Sequence, residues 1–136
     1  MIVKKTKSNN DFIKFDSAKS FSIFKEKILM KGFVYLIYDE DRDLYKIGVT
    51  TNTIDKRLKK LQTGNASELS IRDFHESDYI FRMETLLHNH FKNKRILNEW
   101  FSLSYDDVKN FKSLCNGFED TIKALSINPF FAKNLR

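Results

Sequence analysis

Four side chains in the middle of this chain could act together on a phosphate diester: the Tyr35 phenol, the Lys46 ammonium, the Arg57 guanidinium and the Glu84 carboxylate. Such diesters are anionic and resist attack. A site that cuts them needs positive charge to offset the growing oxyanion, and an acidic group able to hold a cation. Each residue also has an ordinary structural role. Tyrosine is favoured in strands, and lysine or arginine can lay an aliphatic stem on a core with its head in water. Glu84 is harder to explain that way, because it falls inside an apolar stripe. A buried carboxylate must be paired with a base, protonated or bound to a cation.

The elements that carry these residues follow from periodicity and punctuation. Residues 33–38 and 44–50 are rich in Val, Ile, Tyr and Phe and are separated by the acidic run 39–43, which predicts an antiparallel hairpin. Thr51, Asn52 and Thr53 offer caps for a helix over 54–62, whose apolar face is Ile54, Leu58 and Leu61 and whose stop is Gly64-Asn65. Arg57 sits at the edge of that face. Lys56, Lys59 and Lys60 lie on the solvated side, where Lys56 and Lys60 are candidate substrate contacts. Residues 69–74 alternate as a third strand.

Asp78 is placed to cap a helix running to about residue 92, with Ile80, Met83, Leu87 and Phe91 as its inward stripe. At roughly 100° per residue Glu84 projects about 40° from Ile80, and His88 about 40° from Glu84, so His88 could orient that carboxylate or touch substrate. Residues 100–103 read as extended, and Asp106-Asp107 opens a helix through 114. Upstream, 1–16 reads as a polar arm and 17–31 as a helix with Phe21, Phe24 and Ile28 on one face. The last segment, with the only proline at 129, reads as a short helix and a frayed tail. The expected organisation is one domain: a basic arm and helix over 1–31, a core over 32–103, and a helical extension of that core over 104–136.

The formal net charge of +6 is unevenly spread. Residues 1–31 hold eight Lys against Asp11, Asp16 and Glu26, while 32–103 balance 11 basic against 11 acidic residues. A basic arm attracts phosphate backbones through counterion release without reading sequence. It would also serve as a solubilising tail. Cys115 is the single cysteine, so the chain can form no internal disulfide and no cysteine zinc site, which points to a reducing, cytoplasmic setting. No run approaches the roughly 18 apolar residues of a membrane span. The expected partner is DNA, without a membrane.

Taken in order, these features resemble the GIY-YIG nuclease superfamily. Phe33-Val34-Tyr35 stands in the place of the first motif and Lys46-Ile47-Gly48 in the place of the second. Tyr45-Lys46-Ile47-Gly48, then the helix from Glu84 to Phe91, then Glu99-Trp100-Phe101 is similar to a branch common in phages, large DNA viruses and fungi. The resemblance implies an α/β fold of the α+β kind, with a three-stranded antiparallel sheet flanked by helices, and metal-dependent cleavage of DNA. On that reading Tyr35 activates the attacking water or accepts its proton, Glu84 holds one Mg²⁺ or Mn²⁺, and Arg57 stabilises the phosphorus-centred transition state. Asn98 falls near a structural or phosphate-contacting asparagine of relatives.

Two positions depart from that pattern. Phe33 stands before Val34 where glycine is usual, with Gly32 one residue earlier. Lys46 replaces the second-motif tyrosine, and because strand neighbours point to opposite faces, Tyr45 cannot take its place without a bulge. Lys46 is therefore a catalytic candidate in its own right, lowering the Tyr35 pKa or contacting the phosphate. The other class of function open to this chain is a catalytically silent nucleic-acid-binding module of the same fold.

Overall fold

Val34, Tyr35, Leu36 and Ile37 are all fully buried, so the strand that contains them must be covered on both faces. The computed structural model, which describes residues 29–126, places them in β1 (Gly32–Asp39), an inner strand of a five-stranded antiparallel sheet. β1 pairs with β2 (Leu44–Thr50) on one side and β3 (Leu69–Ser77) on the other. Two short strands, β4 (Arg95–Leu97) and β5 (Trp100–Phe101), extend the sheet beyond β2 in the order β3-β1-β2-β5-β4. The expected count of three strands is thus corrected to five. Strands of two and three residues are too short for alternation to reveal them, and only the pairing of β5 with β2 and of β4 with β5 defines them.

Helices cover both faces. α1 (Ile54–Thr63) packs Ile54, Leu58 and Leu61 on the face carrying Tyr35 and Ile37. α2 (Ile80–His90) packs Ile80, Met83 and Leu87 on the face carrying Val34, Leu36 and Ile47. α3 (Tyr105–Lys109) and α4 (Phe111–Ser126) complete the second layer, with Phe111, Cys115 and Ile122 in the same core.

Local chemistry sets these boundaries. Thr53 caps α1, its hydroxyl accepting from the Lys56 amide at 3.3 Å. The hairpin turn is held by Asp39, whose carboxylate accepts from the backbone of Asp41 and Arg42 and from Arg42 Nε at 2.8 Å. Burial works against its charge, yet the Arg42 bonds hold this carboxyl below its ordinary pKa. Asp39 pairs with Leu44, so the loop is shorter than the acidic run suggests.

Other expectations shift by a few residues. β3 continues to Ser77, three residues past the predicted end. Asp78 does not cap α2. Tyr79 is the cap residue, and the preceding turn is closed by Ser77, whose hydroxyl accepts from the Tyr79 amide at 2.9 Å. The predicted helix over 106–114 is two helices broken at Asn110, the first closed by a reciprocal capping box between Ser104 and Asp107. Of the predicted helix over 17–31, residues 17–28 lie outside the described part, and Met30 instead bridges to Tyr79. The arm over 1–16 and the tail containing Pro129 also lie outside it.

Candidate active site

Strand alternation decides which candidates meet. Tyr35 is opposite Gly48, and Ile37 opposite Lys46, so Tyr35 and Lys46 project on one face. Tyr45 projects on the other, where its ring stacks on Tyr38 at 4.7 Å and packs against the α2 core. Lys46 is therefore the long side chain that β2 presents on the Tyr35 face.

Tyr35 lies over Gly48. A Cβ built there would stand 2.4 Å from the Tyr35 hydroxyl, so the glycine exists to admit the phenol. A Cβ at Gly32 would stand 2.3 Å from the Thr50 carbonyl, so the first strand needs its glycine at that register position rather than at Phe33. From α1, Arg57 Nε donates to the Tyr35 oxygen at 3.2 Å. Burial raises the Tyr35 pKa above its ordinary 10.0, although Arg57 works against the shift, while Glu99 and Glu84 add to it. The group therefore stands as a protonated phenol at neutral pH.

An open cleft of about 620 Å³ is lined by Lys46, Glu84, Thr85, His88, Arg95, Asn98, Glu99 and Trp100. Lys46, Glu84, His88 and Asn98 come together here, while Arg57 and Tyr35 stand beside them in α1 and β1. Lys56 and Lys60 do not line the cleft and sit exposed on α1. Glu84 is half-buried and makes no ion pair among the described residues. Burial, reinforced by Glu99, raises its pKa above the ordinary carboxylate value, and His88 and Lys46 only partly oppose this.

His88 is fixed by the sheet. Its Nε2 lies 2.8 Å from the Ile47 carbonyl, and because a carbonyl only accepts, Nε2 carries the proton. When that ring is neutral, its lone pair is on Nδ1. Asn98 has φ 52, the left-handed conformation that turns β4 into β5 and that asparagine tolerates better than most residues.

Sequence reasoning gave no role to Glu99. The Ile47 amide donates to its carbonyl at 3.0 Å, and its carboxylate holds Lys46 Nζ at 2.9 Å. Lys46 also lies 5.5 Å from the Trp100 ring centre, and Arg42 4.9 Å from it. Glu99 and Lys46 are 53 residues apart, and only the β2–β5 pairing joins them. The motif order that includes Glu99 was visible in the sequence, but its partner was not.

Among the described residues, no group of three or more His, Cys, Asp and Glu side chains forms a metal cage. The donor set at Glu84 nonetheless suits Mg²⁺ or Mn²⁺, because such hard cations take one or two carboxylates and complete their shell with water and substrate phosphate. A desolvated carboxylate without an ion-pair partner among those residues is also the kind of group a cation stabilises.

The sheet and its two helical layers define a small α/β domain with a mixed-charge cleft, and the family match supplies its nuclease-like or DNA-binding class. Residues 32–116 match the T5orf172 domain, and the chain belongs to that phage-associated family. No curated protein and no solved structure matches the chain. Among the described residues no helix is long and apolar enough to cross a membrane.

Proposed function

We propose that this protein is a metal-dependent DNA endonuclease that hydrolyses phosphodiester bonds at a single-cation site of the GIY-YIG type. The observation that carries this reading is Glu84: a half-buried carboxylate with a raised pKa and no ion pair among the described residues, in one cleft with Lys46 and beside the Arg57–Tyr35 pair. A structural acid would be expected to have its base. When bound, a divalent cation would polarise the scissile phosphate and stabilise the departing 3′ oxygen.

The remaining roles in this reading are supported by the placement of the side chains. Arg57 meets substrate first, since Tyr35 is fully buried and its oxygen already accepts from the guanidinium. Its fork stabilises charge on phosphorus. A raised pKa suits the Tyr35 hydroxyl to donate a hydrogen bond that orients water or a phosphate oxygen, rather than to abstract a proton as a standing phenolate. His88, held by the Ile47 carbonyl through Nε2, would with a neutral ring accept at Nδ1 and orient water beside Glu84. Lys46 exchanges Glu99 for a phosphate as DNA enters, and Asn98, Lys56 and Lys60 add contacts to the backbone.

The second reading, a silent nucleic-acid-binding module, is favoured by one feature: Lys46 is already neutralised by Glu99. Cleavage of supercoiled plasmid and single-stranded DNA with Mg²⁺ or Mn²⁺ separates the two, using wild type and Glu84→Ala prepared identically. Metal-dependent cleavage lost on substitution supports the enzyme. DNA bound by both but cut by neither supports the silent module.

A further inference from the structure

Every residue of β4 is exposed, and Ile96 and Leu97 remain 60% and 59% accessible. The pairing of β4 with β5 shifts register between Arg95 and Leu97, a bulge that breaks regular alternation, and neither aliphatic side chain joins a core. The left-handed Asn98 then reverses the chain into β5 within two residues. The two aliphatic side chains therefore stand on a tight hairpin tip at the end of the sheet, apart from both cores.

The surroundings indicate what such a tip meets. No acidic residue occurs from 92 through 98, whereas Lys92, Lys94 and Arg95 do. Lys94 is tied to Asp107, and Arg95 lies 5.4 Å from the Phe101 ring centre, which braces the hairpin from behind. Arg95 and Asn98, which bracket Ile96 and Leu97 in the chain, line the Glu84 cleft. Apolar side chains that protrude next to Arg95, beside a cleft read as phosphate-directed, have the chemistry of a wedge that enters a base step and unstacks it. A protein-binding patch would gain little from this continuity with the cleft.

We propose that Ile96 and Leu97 form a wedge that inserts at an unstacked or unpaired base step next to the phosphodiester held in the cleft, so that the domain selects locally distorted DNA over regular duplex. This inference rests on the DNA-directed reading of the cleft and adds the substrate class to it. The cost of unstacking is least where pairing is already broken, which makes distorted DNA the preferred ligand.

The test measures binding without metal, in chelator, so that no cutting occurs. Two labelled DNAs are compared, a regular duplex and the same duplex with a small central mismatch bubble carrying a fluorescent adenine analogue at its edge. Wild type is expected to bind the bubble about tenfold more tightly and to brighten the analogue as it unstacks, while Ile96→Ser/Leu97→Ser binds both DNAs within about twofold of each other. Both side chains are exposed, so the double variant should keep its circular dichroism. Should it not, Ile96→Ser alone carries the comparison.

Equal wild-type affinity for the two DNAs overturns the wedge and leaves the DNA reading intact. So does a preference that survives the substitutions. A wild-type dimer that the substitutions dissolve, without any bubble preference, reassigns the tip to contact between copies. Failure to bind any DNA overturns the reading of the cleft and the wedge with it.

Discussion

Gly48 and Tyr35 face each other across the central strand pair, with the phenol lying where a side chain at position 48 would be. Gly48→Ala should therefore displace a fully buried ring. Overpacking of this kind costs about 1–3 kcal/mol, measurable as a lower urea midpoint, and it should weaken cleavage further by pulling the Tyr35 oxygen from Arg57.

Tyr35→Phe keeps the packed ring and removes only the oxygen that Arg57 bonds. Stability should fall by about 1 kcal/mol, whereas cleavage should fall by roughly 10²-fold or more if the hydroxyl orients the reacting groups. Because burial raises this phenol, the wild-type rate should show no break from Tyr35 ionisation between about pH 7 and pH 9. A tyrosine-dependent break in that range would restore a phenolate base.

Glu84→Gln should abolish metal-dependent cleavage and yet stabilise the metal-free fold at neutral pH. The folded protein holds the Glu84 proton more tightly than the unfolded chain, whose carboxyl titrates near 4.5. This group therefore favours folding at low pH and loses that contribution as pH rises through its folded-state value. The variant's advantage in melting temperature should be larger at about pH 7 than at about pH 4. Added Mn²⁺ should raise the melting temperature of wild type and leave the variant unmoved.

Glu99→Gln should release Lys46 for phosphate. DNA affinity should rise, and its dependence on salt should steepen by about one counterion, whereas Lys46→Ala should flatten it by a similar amount. Titrations at several salt concentrations read both. If Glu99→Gln leaves the slope unchanged, the ion pair does not open when DNA binds.

Away from the cleft, His75 Nε2 and a Glu119 oxygen lie 2.9 Å apart between β3 and α4, with both side chains about nine-tenths buried. Glu119→Ala should lower stability by about 1–3 kcal/mol through the unpaired ring it leaves, and Glu119→Gln should recover much of that. DNA binding should be unchanged by either, which makes the pair a structural control.

Much of this molecule was readable from local pattern. The two strands around the acidic turn, the cap at Thr53 and the apolar stripes of α1 and α2 are written in residue type and spacing, because each depends on neighbours within a turn or along a strand. The same periodicity places Glu84 on the apolar face of α2 and Lys46 on the Tyr35 side of the sheet. Strands β4 and β5 were hidden because they exist only by pairing, β5 with β2 and β4 with β5. The break at Asn110 went unread because the capping box at Ser104 completes a short helix of its own before α4 begins.

By itself, then, the sequence determined which residues alternate, which are punctuated by glycine and caps, and which polar groups fall on apolar faces. Those properties are local, set by backbone sterics and by the burial of nearby side chains. Only the tertiary structure decided who partners whom. Glu99 reaches Lys46 because a two-residue strand pairs with β2. Arg57 reaches Tyr35 because α1 packs on the sheet face that carries the phenol, and Glu84 makes no ion pair among the described residues while Lys46 is held by Glu99. Contacts of that kind join residues far apart in the chain, and the geometry that closes them belongs to the packed sheet and its two helical layers.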